Sequence, residues 1–262
     1  MKNISTLVPP RQRASKKVDL NRFVDVSGVR TRYIEAGASN GGVPLLLIHG
    51  YNGSCDYFYP NAIPLLAAER HVIAPDLPGN GLSGRLPIHT LDTYVDFLAG
   101  LAEALGYEQV DLAGHSMGGQ LAIAAVVRHP ERFRKLVLID SAGLPELVKT
   151  QWIAPIKMLA DSSLRQVRLY PTFIKIGIRA RTQQEGLEII RRRSVRHDLK
   201  QLNIPTLIVW GSRDRVVPLE HGAFMAKHIA GARLAIIRGA GHMPFYEKPE
   251  ECSRLILSFL RG

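Results

Sequence analysis

Short apolar runs alternate with stretches of helical periodicity along most of the chain. Residues 22–26 and 29–35 flank Ser27-Gly28 and predict a β-hairpin. Residues 44–49 (PLLLIH) form a continuous apolar run ended by Gly50, the pattern of a buried strand. Residues 56–68 read as a helix and 71–75 as a short strand. Residues 91–105 carry apolar side chains at helical spacing, with Thr90 placed to cap them. A strand at 109–113, a helix at 117–127 and a strand at 136–139 follow. The alternation resumes with a strand at 205–210, a helix at 220–229, a strand at 233–238 and a helix at 249–260. Such alternation predicts an α/β fold, a mostly parallel sheet flanked by helices, with the first hairpin as an antiparallel edge.

The stretch between the two runs differs. Residues 143–202 read as mostly helical, and Thr182-Gln183-Gln184-Glu185 has the form of a capping box opening a helix. An insert of this kind between two core strands is expected to lie over the sheet as a cap. Its large side chains Trp152, Met158, Tyr170 and Phe173 are candidates for a substrate pocket. The expected organisation is an extension over 1–18, a core over 19–142 and 203–262, and a cap over 143–202.

Composition narrows the class. With 262 residues, 46% hydrophobic and 22% charged, the chain can bury a core without disulfides or a structural metal, and it is neither a collagen nor a coiled coil. No apolar run approaches the length of a membrane span. The N-terminal apolar stretch ends at Pro9-Pro10, too short for a signal peptide, so a cytoplasmic location is expected. Cys55 and Cys252 make no disulfide framework and are expected as reduced thiols. The formal charge is +11, but residues 1–20 contribute +4 and residues 143–200 contribute +7, which accounts for all of it. The core is therefore neutral. Neither basic segment has the form of a nucleic-acid module; the basic cap is either a solvated face or an attraction for an anionic substrate or partner.

Gly114-His115-Ser116-Met117-Gly118 carries the chemistry. It fits G-x-S-x-G, lies between an expected strand and an expected helix, and so places Ser116 on a sharp turn at the top of the sheet. The flanking glycines leave room where the turn has none for a Cβ. The N-terminus of the following helix offers free N–H groups and positive potential to a developing oxyanion.

Around this motif the chain resembles the α/β-hydrolases over about residues 20–262. The resemblance rests on His49-Gly50 after the third strand, the D-x-x-G-x-G-x-S loop from Asp76 to Ser83, and the nucleophile elbow at 114–119. Trp210-Gly211-Ser212-Arg213-Asp214 and Gly239-Ala240-Gly241-His242 complete it, in the family's order Ser, Asp, His. It implies Ser116 as nucleophile, His242 as general base and acid, and Asp214 as the acid orienting His242. Asp140, at the end of the strand after the elbow helix, is the competing acid; the Gly-x-x-Asp spacing favours Asp214. The backbone N–H groups of Tyr51 and Met117 are the expected oxyanion hole. His49, Asp76, Ser83 and His115 are expected to be structural.

No cofactor and no metal are expected. Serine in place of aspartate at the elbow argues against an alkyl-enzyme route and for hydrolysis of carboxylic esters of short to medium acyl chain through an acyl-enzyme. A thioesterase or esterase acting on a carrier-linked acyl group is the alternative that the basic cap suggests. A carbon–carbon bond hydrolase of ring-cleavage products is another; it shares Ser116-Met117-Gly118-Gly119 by resemblance, but Tyr51-Asn52-Gly53-Ser54 lacks the Gly-Pro-Gly pattern expected there. A cofactor-free haloperoxidase and a small-molecule receptor using the same pocket remain open.

Overall fold

The computed structural model describes residues 18–147 and 180–262. Trp152, Met158, Tyr170, Phe173 and the expected N-terminal extension lie outside these residues, apart from Val18. The strands are β1 (Val18–Val26), β2 (Val29–Ala36), β3 (Leu45–Ile48), β4 (Val72–Pro75), β5 (Val110–His115), β6 (Phe133–Ile139), β7 (Thr206–Gly211) and β8 (Arg233–Ile237). They form one sheet in the order β1-β2-β4-β3-β5-β6-β7-β8. The hairpin strands and β4 pair antiparallel, and every pairing from β4 through β3 to β8 is parallel. Ser27 and Gly28 both have positive φ, 51° and 82°, as a tight two-residue hairpin requires.

The helices are α1 (Ala62–Leu66), α2 (Leu91–Ala104), α3 (Met117–Arg128), α4 (Ala180–Arg192), α5 (Leu219–His228), α6 (Pro244–Glu247) and α7 (Pro249–Arg261). They cover both faces of the sheet. Successive strand residues point to opposite faces. Leu46, Ile48, Leu112 and Leu138 therefore pack with Leu98, Leu101 and Leu121 of α2 and α3. Leu45, Leu47, Ala113 and Val137 pack on the other face with Ile63 of α1 and Ile256 of α7. A strand covered on both sides is buried at every position, which is why β3 appears in the sequence as an unbroken apolar run; β5 is equally buried but carries Asp111, whose carboxylate is paired with Arg70 and Arg134.

Thr90 caps α2 as expected: its hydroxyl accepts the Thr93 N–H, and the Thr93 hydroxyl accepts the Thr90 N–H. Two expectations are corrected. The helix anticipated over 56–68 is a 3-10 turn, Cys55–Tyr57, followed by the short α1. Pro60 lies between them and has no N–H to continue a helix, while Asp56 is drawn into an ion pair with Arg32. Thr182 opens no helix, because α4 already runs through Ala180. Both cysteines are buried and free. No helix among the described residues is long and apolar enough to cross a membrane.

Candidate active site

The carboxyl ends of β3, β5, β6, β7 and β8 lie side by side, and the residues singled out in the sequence collect there. Ser116 occupies the single position between β5 and α3. Its backbone is left-handed in φ (53°), a conformation that a serine adopts at a cost of about 1–3 kcal/mol. The surroundings hold it there. Its N–H donates to the Ile139 carbonyl of β6 (3.0 Å), and its own carbonyl accepts from Gly119 (3.0 Å) and Ala142 (2.9 Å). The turn also needs α3 pressed against β3. A Cβ on Gly118 would lie 2.6 Å from the carbonyl oxygens of Ile48 and His49, inside any permitted contact.

His242 follows β8 and is buried, with 3% of its side chain exposed. Its Nδ1 lies 2.8 Å from Asp214 Oδ2. The other oxygen of Asp214, Oδ1, accepts the N–H groups of Val216 (2.7 Å) and Val217 (2.9 Å). A carboxylate facing Nδ1 fixes the proton there, so Nε2 is left as the acceptor. The loop carrying His242 is tied down by Glu247 of α6, whose carboxylate accepts from Gly241 (2.9 Å) and Met243 (3.2 Å). His115, the residue before Ser116, donates Nε2–H to the His242 carbonyl (2.7 Å), and the two rings lie 4.8 Å apart. The elbow and the histidine loop are thus one hydrogen-bonded unit. Burial, and next the neighbouring His242, hold His115 well below the ordinary imidazole range, so it is neutral.

The third wall is the segment after β3. His49 Nε2 accepts the Leu77 N–H (2.9 Å), so its proton is on Nδ1 and is donated to the Gly50 carbonyl (2.8 Å). Burial keeps this ring neutral too. A Cβ on Gly50 would lie 3.0 Å from Ser116 Cβ, which measures how closely this loop passes the elbow. Tyr51 comes next, and its N–H has no acceptor among the described residues. Met117 is the first residue of α3, so its N–H is one of the helix's orphan donors. Beneath the loop, Asp76 is fully buried and accepts from Cys55 N (2.8 Å), Leu82 N (2.8 Å) and the Arg32 guanidinium (3.3 Å). Burial opposes the charge of Arg32, but its bonds to Asp56 and the charge of Asp76 outweigh this and raise its pKa. Ser83 donates to the Asp76 carbonyl (2.8 Å) and accepts the Arg32 N–H (2.9 Å). Asp76 and Ser83 thus fix the loop, as expected.

Helix α4 lies against the residues after β3 and β5. Gly186 faces Tyr51, where a Cβ would stand 3.2 Å from the ring and 3.5 Å from Met117 Sδ. Buried Gln120 of α3 donates Nε2–H to the carbonyls of Ile189 (3.2 Å) and Arg193 (2.6 Å), gripping the carboxyl end of that helix. This clamp was not anticipated. Its signal is one amide within the otherwise apolar stretch 117–127 of α3, at a position where nothing but a specific partner repays burial. The bonds from His115 and Glu247 were also not anticipated; the first joins residues 127 positions apart, and the second is a local loop contact with no apolar pattern to mark it. No cluster of metal-ligating side chains is present among the described residues.

A model of the alpha/beta hydrolase family matches residues 45–255. The chain belongs to that family. Among its relatives in this family, the dihydrolipoyllysine-residue acetyltransferase component of the acetoin cleaving system of Pseudomonas putida is 33% identical over 90% of this chain and 68% of its own length. The 2-hydroxymuconate semialdehyde hydrolase of Pseudomonas sp. strain CF600 is 30% identical, over 92% of this chain and 94% of that one. Among solved alpha/beta hydrolase structures, the meta-cleavage product hydrolase CumD of Pseudomonas fluorescens IP01 superposes with a TM-score of 0.79 at 28% identity, covering 92% of this chain and 98% of that one. The family and the latter two relatives are hydrolases by name, which supports a hydrolase at that coarse level.

Two predictions follow from the packing. Gly118→Ala forces β3 and α3 apart, so it should lower the melting temperature and cost at least about tenfold in kcat/KM; calorimetry with a rate assay checks both. The second concerns pH. Burial lowers the pKa of His49, His115 and His221, so below about pH 6.5 the unfolded chain binds protons that the folded protein refuses. Stability then falls as pH drops, by up to about 1.4 kcal/mol per pH unit for each histidine. Asp140 works in the opposite sense, since burial raises its pKa and the folded form keeps a proton that the unfolded chain releases; it offsets one of the three. Denaturant midpoints should be lower at about pH 5 than at about pH 7. Equal midpoints would mean the imidazoles are not held neutral.

Proposed function

We propose that the protein is a serine hydrolase that cleaves carboxylic esters through an acyl-enzyme. The observation carrying this reading is the 2.8 Å contact between Asp214 and His242 Nδ1, which presents Nε2 as a base beside the Ser116 turn. In the first half-reaction the Ser116 hydroxyl proton passes to His242 Nε2 as Oγ bonds to the ester carbonyl carbon. The oxygen that takes up the electron pair accepts the N–H groups of Tyr51 and Met117. His242 then gives its proton to the leaving alcohol as the C–O bond breaks. Water repeats the sequence on the acyl-enzyme, releasing the acid and restoring Ser116. Asp214 stays ionised throughout and stabilises the imidazolium. No cofactor or metal has a part.

The apolar surroundings and the cap favour short to medium acyl chains, and the cytoplasm is the compartment this reading assigns. The excess positive charge of the cap favours a substrate or carrier with anionic character. A second reading, hydrolysis of a carbon–carbon bond in a ring-cleavage product, is supported by the names of the two Pseudomonas hydrolases. Against it stands Tyr51-Asn52-Gly53-Ser54, without the Gly-Pro-Gly pattern.

A panel of nitrophenyl esters of rising chain length, run beside 2-hydroxymuconate semialdehyde, separates the two. Turnover of esters with the dienoate untouched supports the first reading; the reverse establishes the second. In either case Ser116→Ala should lower kcat by about 10⁶ and abolish labelling by a serine-directed phosphonate. Near-full activity in that variant would remove Ser116 from the mechanism. Asp214→Asn should cost about 10⁴ in kcat while leaving the fold intact.

A further inference from the structure

A second buried carboxyl group adjoins Asp214, and the acyl-transfer scheme makes no use of it. Asp140 directly follows β6, with a left-handed backbone (φ 44°) and no exposed surface. Its Oδ1 accepts the N–H of Gly211 (2.8 Å), the last residue of β7. Gly211 in turn accepts the Asp214 N–H through its carbonyl (3.2 Å). Asp140 and Asp214 are thus tied to the N–H and the carbonyl of one residue, the first through its side chain and the second through its backbone N–H. The remaining oxygen, Oδ2, is buried and is offered no hydrogen by any described donor.

The groups acting on Asp140 are Asp214 from the loop after β7, Glu247 from α6 and the Cys252 thiol from α7. No lysine or arginine is among them. Glu247 is committed to the Gly241 and Met243 amides, and Asp214 to His242 and to two amides. Every one of those contacts brings a hydrogen to a carboxylate that needs it. Asp140 has one such contact, for two oxygens. An ionised Asp140 would be a desolvated anion with a bare oxygen beside a second anion. A protonated one turns that bare oxygen into a donor, and Asp214 is the side-chain hydrogen-bonding neighbour it faces.

We propose that Asp140 is a neutral, protonated carboxyl group that donates a hydrogen bond from Oδ2 to Asp214, and so is a positioning residue for the acid that orients His242. Burial in the first place, and the charge of Asp214 in the second, raise Asp140 well above the usual carboxylate range. The arrangement gives Asp214 a further donor without adding a further charge beside the imidazole. The role in positioning rests on the triad reading above; the protonation does not.

The test therefore has one arm that needs no turnover. In wild-type protein labelled with carboxyl-¹³C aspartate, one aspartate carbon should resonate as a protonated acid at neutral pH, and Asp140→Asn should remove that signal. Absence of any such resonance in the wild type overturns the proposal, whether or not the variant folds. The second arm is the pH profile of kcat/KM. Asn keeps the acceptor for Gly211 and supplies an N–H donor of the same zero charge. Asp140→Asn should leave the acid limb of the profile in place and lose less activity than Asp140→Ala, which removes both bonds and should cost about tenfold in kcat. If the acid limb instead moves to lower pH in Asp140→Asn, a negative charge has been taken from beside His242, and Asp140 was ionised. A protein with the ¹³C signal but no esterase activity would keep the protonation and sink the catalytic reading alone.

Discussion

The site depends on one close contact between main chains. Helix α3 starts one residue after β5 ends, and it can do so only if its first turn lies against the carbonyls of Ile48 and His49. That contact leaves no room for a side chain at position 118. It also forces Ser116 into a positive φ that costs about 1–3 kcal/mol. Four hydrogen bonds at its own amide and carbonyl, with Ile139, Gly119, Gln120 and Ala142, each contribute about 1 kcal/mol toward that cost. The strain is thus offset locally. What results is a hydroxyl on a turn that cannot relax, at the amino end of a helix whose free N–H groups point the same way.

The second constraint is the charge state of the imidazoles. His49, His115 and His242 lie around the elbow, yet a carboxylate bonds only to His242. The other two are bonded to backbone, which fixes their tautomers, and burial keeps them uncharged. This matters for His242. A proton on His115, whose ring is 4.8 Å away, would oppose an imidazolium on His242 by about 3–4 kcal/mol at an effective dielectric of 20. Holding His115 neutral leaves the positive charge to the ring that faces Asp214.

Much of this was legible in the sequence, for a physical reason. Strands buried on both faces are mostly apolar on both, so 44–49, 136–139 and 205–210, and less sharply 109–113 with its Asp111, stand out from their surroundings. Each is followed by a polar or glycine-rich turn, which is where functional groups emerge. The elbow and the two loops bearing Asp214 and His242 were found by that rule together with the family's order. What the sequence hid depends on contacts between distant positions. The 56–68 pattern looks helical because its apolar spacing is right, but Pro60 and the pull of Arg32 on Asp56 divide it. Gln120 meets Ile189 and Arg193 across roughly seventy positions, and no local pattern marks such a partner. The helix start expected at Thr182 failed because a capping-box pattern is also compatible with positions inside a helix.

The two candidate acids differ in what each can reach. Both stand at the carboxyl edge of the sheet, one strand apart. Asp140 comes directly off β6, and its Oδ1 is bound to the neighbouring strand at Gly211, so that oxygen joins β6 to β7. Asp214 is three residues beyond the end of β7, and that slack lets its carboxylate turn toward the histidine loop. There it collects amides on Oδ1 and an imidazole on Oδ2, a donor set that offsets the burial of a charge. With five adjacent strands, each end has a different length of chain before its polar residue. Ser116 follows its strand at once, Asp214 after three positions and His242 after five. Those offsets place residues from β5, β7 and β8, which are not all neighbours in the sheet, at the same edge, and they bring Asp214 onto His242.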